Sequence, residues 1–192
     1  AVICLFYFLQ HLVSPALRVQ GNASIFAIFA GAMKKIKVLF VCLGNICRSP
    51  LGAAVMKKRV RDLNLADFIE VDSCGTSNYH IGDGADPRTI ANARKNGVAI
   101  EHCARQLTAE DLDRFDYIFA MDKSNYQNIM RLANGRPVDN KVMLLREFDP
   151  KGRGEVPDPY YGDERLFQEV FDIVNRSVDA FLDHIRKDLT TA

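Results

Sequence analysis

The sequence predicts an α/β protein, a four-stranded parallel sheet with helices on both faces. Three observations carry this. Short apolar runs alternate with segments of helical periodicity, the pattern of parallel strands joined by crossover helices. The first run, Ile36 to Val41, leads through Cys42-Leu43-Gly44-Asn45-Ile46-Cys47-Arg48-Ser49-Pro50 straight into a helical pattern from Leu51 to Val60. The last helical pattern is long: Asp163 caps it, and an apolar stripe including Phe167, Phe171, Val174, Phe181 and Ile185 runs to about Lys187.

Between these ends the elements follow in order. Phe68 to Asp72 reads as a second short strand, and Ser73 to Gly84 as a long loop of turn formers. Asp86-Pro87 starts a helix, with Asp86 at the N-cap and Pro87 at the first position, and Gly97 ends it. Thr108-Ala109-Glu110-Asp111 is a capping-box-like start of a short helix. Tyr117 to Met121 is the third strand, Asp122 to Leu132 a helix closed by Asn134-Gly135, and Val142 to Leu145 the fourth strand. The stretch from Asp149 to Tyr161 is a Pro/Gly-rich loop.

Composition narrows the function. With 25 Lys+Arg against 24 Asp+Glu the net charge is +1 and no basic stripe is apparent, which argues against a nucleic-acid partner. The cysteines, Cys4, Cys42, Cys47, Cys74 and Cys103, form no paired Cys-x2-Cys set, so no zinc site is expected. An odd, scattered set suits a reducing compartment and a cytoplasmic location. Residues 1–32 differ in kind: Arg18 is their one charged residue, and their apolar runs fall short of the roughly 20 residues a spanning helix needs. They read as an N-terminal extension outside the chemistry, with membrane contact not expected and a membrane-tethering leader as the alternative, and residues 33–192 as the catalytic domain.

The loop after the first strand carries the chemistry. The amides of Leu43, Gly44, Asn45, Ile46, Cys47, Arg48 and Ser49 lie where a strand meets a helix N-terminus, so they can converge on one anion with the helix dipole behind them. Gly44 allows close backbone approach, and Asn45 tolerates positive φ. Arg48 offers a planar fork for two phosphate oxygens. Cys42 sits beside that Arg and the helix N-terminus, a setting that lowers thiol pKa values to roughly 3.5–7.5, so a thiolate is expected to face the anion, with the Ser49 hydroxyl donating to it. Cys47, in the same loop, is a candidate disulfide partner for an oxidised Cys42.

The loop sequence, together with Asp158-Pro159-Tyr160-Tyr161-Gly162 near the other end, strongly resembles the low-molecular-weight protein tyrosine phosphatases. Asp72-Ser73, Thr76-Ser77-x-Tyr79, His102-x-Ala104-Arg105 and Phe115-Asp116-Tyr117-x-x-x-Met121-Asp122 are further matches, over residues 33–192. The resemblance implies hydrolysis of phosphotyrosine and small aryl phosphates through a phosphocysteine on Cys42, with Arg48 and the loop amides holding phosphate and Asp158 as acid, then base. It implies Tyr79, His80, Tyr160 and Tyr161 around the substrate, and Asp72, Ser73 and His102 bracing the loop, His102 through Asp72. No metal or cofactor is implied, and the partner is a phosphotyrosine protein, with tyrosine kinases among the candidates.

Two rival readings fit the loop less well. An arsenate reductase on this fold needs relay cysteines near Cys42, and Cys74 and Cys103 form no such pair in sequence. A non-catalytic phosphotyrosine-binding module would have lost Cys42 or Asp158, and both are present.

Overall fold

The computed structural model describes residues 35–191, with side chains described to Arg186; the expectations for residues 1–32 fall outside this range. Four strands, β1 (Ile36–Cys42), β2 (Ile69–Gly75), β3 (Tyr117–Ala120) and β4 (Val142–Leu144), form one all-parallel sheet in the order β2-β1-β3-β4. Five helices connect and follow them: α1 (Arg48–Asp62), α2 (Pro87–Lys95), α3 (Ala109–Arg114), α4 (Lys123–Ala133) and α5 (Glu164–Thr191).

Alternation along β1 places the helices. Val38 and Phe40 point into a core shared with α1, α2 and α5, where Phe119 and Phe181 meet edge-on at 4.7 Å. Leu39 and Val41 point the other way, into a core with Leu112, Phe115 and Ile129 under α3 and α4. Both faces are therefore covered, as a parallel sheet requires. Gly52 lets α1 lie close: a Cβ there would stand 2.7 Å from the Phe40 ring.

The caps fall where the sequence places them. Asp86 accepts from the Arg88 N–H at 2.8 Å, Asp111 from the Thr108 N–H at 2.9 Å, and Asp163 from the Leu166 N–H at 3.2 Å. Asn134 takes the left-handed conformation that closes α4.

Several boundaries differ from the sequence reading, three of them at the site or in the core. α1 begins at Arg48, so the loop tightens into helix before Pro50. β2 runs on through Ser73, Cys74 and Gly75, because these turn-forming residues pair fully with Phe40, Val41 and Cys42. β4 stops at Leu144, and buried Leu145 opens a 3-10 turn to Phe148.

The topology fixes where a ligand can sit. From β1 the chain moves to β2 on one side, then returns to β3 on the other. The crevice outside the carboxyl ends of β1 and β3 is the switch point of the sheet, where α/β proteins bind ligands.

Candidate active site

Cys42 ends β1 at that switch point and is buried. Two groups close on its sulfur, the Asn45 N–H at 3.2 Å and the Ser49 hydroxyl at 3.0 Å. The loop between them bends through Asn45, whose φ of 57° is in the left-handed region.

Asn45 holds this strained turn with every polar group it has. Its Nδ2 donates to Ser49 Oγ at 2.8 Å and to Ser73 Oγ at 3.1 Å, and its Oδ1 accepts from the Arg105 N–H at 3.0 Å. Its carbonyl meets His102 Nε2 at 2.6 Å. A carbonyl only accepts, so Nε2 carries the proton. Burial pushes the His102 pKa below its usual 6.5, although the bond to Asn45 works the other way. Asn45 itself is 1% exposed, and a buried polar network of this kind is stable only when fully satisfied.

The expected link from His102 through Asp72 is thus corrected: His102 reaches the loop directly. Asp72 instead accepts from the Ser73 N–H at 2.7 Å and from Arg105 Nη2 and Nε at 2.9 and 3.1 Å. Arg105 bridges on to Asp111. It is the brace that the sequence reading left without a role, although it lies in a quoted motif.

Arg48 is 3% exposed and held between two carboxylates: Nη1 on Asp122 at 2.6 Å and Nη2 on Asp158 at 2.7 Å, with the Val156 carbonyl 3.2 Å from Nη1. Burial opposes its charge, yet Cys42, Asp158 and Asp122 together raise its pKa above the ordinary value. Asp122 was missed as a site residue because its position, between a strand and a helix, reads as a plain cap. It is that cap as well: Oδ1 takes the Asn125 N–H at 2.6 Å while Oδ2 orients Arg48.

Asp158 comes from the far end of the chain. Val156 is buried and its N–H donates to the Met121 carbonyl at 2.8 Å, which ties the Pro-rich loop to the end of β3. The Tyr160 N–H then donates to Asp158 Oδ1 at 3.1 Å. Tyr160 and Tyr161 meet edge-on at 4.9 Å, Tyr161 being 98% exposed and Tyr160 39%.

On the opposite side, residues 76–80 lie along the loop. The N–H groups of Thr76 and Ser77 donate to the carbonyls of Cys42 and Leu43, each at 2.9 Å. His80 covers Gly44, where an added Cβ would come within 3.0 Å of the His80 ring, and its Nδ1 pairs with Asp83. Tyr79 is 75% exposed. Gly75, another residue missed, is required: a Cβ there would meet the Leu43 carbonyl oxygen at 2.7 Å.

Cys47 is buried, and burial pushes its thiol up to about 12. The four described cysteines, Cys42, Cys47, Cys74 and Cys103, are free thiols.

A buried cysteine under converging donors, an arginine at the same helix N-terminus and a carboxylate on that arginine are the parts of a thiol-based phosphatase. A model of the low molecular weight phosphotyrosine protein phosphatase family matches residues 37–191. The enzyme of that name from Sus scrofa is 43% identical over 152 residues, 78% of this chain and 95% of its own length. That from Schizosaccharomyces pombe is 47% identical over 142 residues, 72% of this chain and 89% of its own. A crystal structure of a protein tyrosine phosphatase from Entamoeba histolytica superposes with a TM-score of 0.77 at 37% identity, over 80% of this chain and 99% of that one. The chain belongs to the low molecular weight phosphotyrosine protein phosphatase family, and with it to the hydrolases.

Proposed function

We propose that the chain hydrolyses phosphotyrosine and small aryl phosphates through a phosphocysteine formed on Cys42. The observation that carries this is the setting of the Cys42 sulfur: two donors within 3.2 Å, at the mouth of a helix that begins with Arg48. Cys42 Sγ attacks phosphorus. The loop amides and the free N–H edge of Arg48 hold the equatorial oxygens, while Asp122 keeps the guanidinium in plane. Asp158 hands a proton to the departing phenol oxygen, then takes one from the water that opens the phosphocysteine.

Ser49 has a single hydroxyl proton and two acceptors in reach, Cys42 Sγ at 3.0 Å and the Cys74 carbonyl at 3.2 Å. Asn45 Nδ2 already fills its acceptor side. The proton can therefore turn to sulfur when Cys42 leaves as thiolate and to the carbonyl when Cys42 is phosphorylated, which lowers the barrier of the second step without any rearrangement of the backbone.

Tyr160, Tyr161, Tyr79 and His80 frame the mouth, and exposed aromatic faces there suit a phenyl ester rather than a bare oxyanion. The partner is then a phosphotyrosine protein. Free cysteines fit a cytoplasmic setting. Among the described residues no helix is long and apolar enough to cross a membrane.

The test is hydrolysis of an aryl phosphate by wild type and Cys42→Ser with no metal added. Wild type turns over, and the variant binds inorganic phosphate without turnover. Residual turnover within about tenfold of wild type would remove Cys42 as the nucleophile.

A further inference from the structure

One buried carboxylate beside the loop has no part in the reaction just described. Asp86 is 8% exposed, and its N–H donates to the Ile46 carbonyl of the loop at 2.8 Å. Its carboxylate caps α2 and also grips the guanidinium of Arg88 at two points, Nε on Oδ1 at 3.1 Å and Nη2 on Oδ2 at 2.7 Å. The edge of the Arg88 fork is thereby fixed to the floor of the site.

Its face is used too. The guanidinium carbon lies 5.5 Å from the centre of the Tyr160 ring and 4.9 Å from that of buried Phe167 in the first turn of α5. A planar cation can bond through its edge and stack through its face at once, which an ammonium cannot. Tyr160 in turn donates its N–H to Asp158. One chain of contacts therefore runs from the loop at Ile46, through Asp86 and Arg88, to the aromatic wall and the segment that carries Asp158.

We infer that Arg88 is a positioning residue: braced by Asp86, it sets the Tyr160 ring where it meets an aromatic leaving group. The inference rests on the phosphatase reading above and extends it to substrate choice, since a ligand without a ring gains nothing from a placed Tyr160.

The experiment is calorimetric binding of benzylphosphonate and of inorganic phosphate to wild type, Arg88→Met, Tyr160→Ala and the double variant. Arg88→Met is expected to weaken benzylphosphonate about two- to fivefold and to leave inorganic phosphate unchanged. In the Tyr160→Ala background the same substitution is expected to cost nothing further, because the ring it places is gone. Equal weakening of both ligands, or the same loss with and without Tyr160, would overturn the inference. If Arg88→Met fails to fold, Arg88→Lys carries the same comparison, since lysine keeps stem and charge but cannot bond Asp86 twice and cover the ring. Turnover of phosphotyrosine by wild type is measured alongside; its absence counts against the phosphatase reading and leaves the binding comparison intact.

Discussion

His102 donates its Nε2 proton to the Asn45 carbonyl at 2.6 Å, and so holds from behind the one residue of the loop that is in the left-handed conformation. The folded protein takes up a proton on His102 less readily than the unfolded chain does, because burial depresses its pKa below 6.5. Its contribution to stability is therefore whole above pH 6.5 and is lost as pH falls through the lower folded value. Thermal melts from pH 7.5 to pH 5 are expected to show a steeper acid loss for wild type than for His102→Gln, whose amide can still donate to Asn45. Equal slopes would mean that His102 is not the group concerned. His102→Ala should cost about 1–3 kcal/mol at neutral pH by leaving the Asn45 carbonyl unpaired.

Gly75 supports the loop from the strand side. An alanine there would press its Cβ on the Leu43 carbonyl oxygen and, at 3.1 Å, on the Asn45 nitrogen, both backbone atoms. Gly75 cannot retreat, since its N–H bonds the Arg105 carbonyl and its carbonyl the Leu107 N–H. Gly75→Ala is expected to cost about 1–3 kcal/mol of stability and, by shifting the loop, about 10²-fold in kcat/KM. Denaturation and steady-state kinetics on the same preparation separate the two. An unchanged kcat/KM would mean that the loop absorbs the methyl group.

Asp158 is paired with Arg48 at 2.7 Å, so its substitution touches both acid and arginine. The two effects separate by leaving group. Asp158→Asn is expected to slow phosphotyrosine by about 10²–10⁴-fold, the usual worth of a positioned acid, and a substrate whose leaving group needs no proton far less. Equal slowing of both substrates would assign Asp158 to holding Arg48 alone.

How far the sequence carried these conclusions depends on the kind of signal. The sheet, its helices and their caps were legible because apolar period and capping residues act locally: Asp86, Thr108 and Asp163 all start helices as read. Cys42, Arg48 and Ser49 were legible because seven residues bring them together, and the structure does bring them together. Contacts between distant segments were not. Asp122 lies 74 residues from Arg48, and nothing local distinguishes a carboxylate that caps a helix from one that also orients an arginine. The same holds for Arg105 on Asp72 and for Gly75, whose need for no side chain is set by Leu43 on the neighbouring chain segment. For His102 the sequence points to Asp72 and the structure gives the Asn45 carbonyl instead, because a backbone carbonyl leaves no mark in the sequence.

The last prediction concerns oxidation. Peroxide converts a Cys42 thiolate to a sulfenic acid, and a Cys47 thiolate can then attack that sulfur, form the disulfide and release hydroxide. Cys47 is buried with its thiol pushed up to about 12, so only a small fraction is thiolate near neutrality, and that fraction rises about tenfold per pH unit below 12. Bridge formation, once the sulfenic acid exists, is therefore expected to accelerate steadily from pH 6 to pH 9, and irreversible loss to the sulfinic acid to dominate at the acid end. The measurement is peptide mapping after a peroxide pulse at several pH values, together with recovery of activity by thiol reductant. Cys47→Ser is expected to lose the reductant-recoverable fraction at every pH, and inorganic phosphate to protect wild type by covering Cys42. If Cys47→Ser recovers as fully as wild type and no Cys42–Cys47 peptide is found, Cys47 is a small buried packing residue, and the loop has no redox guard.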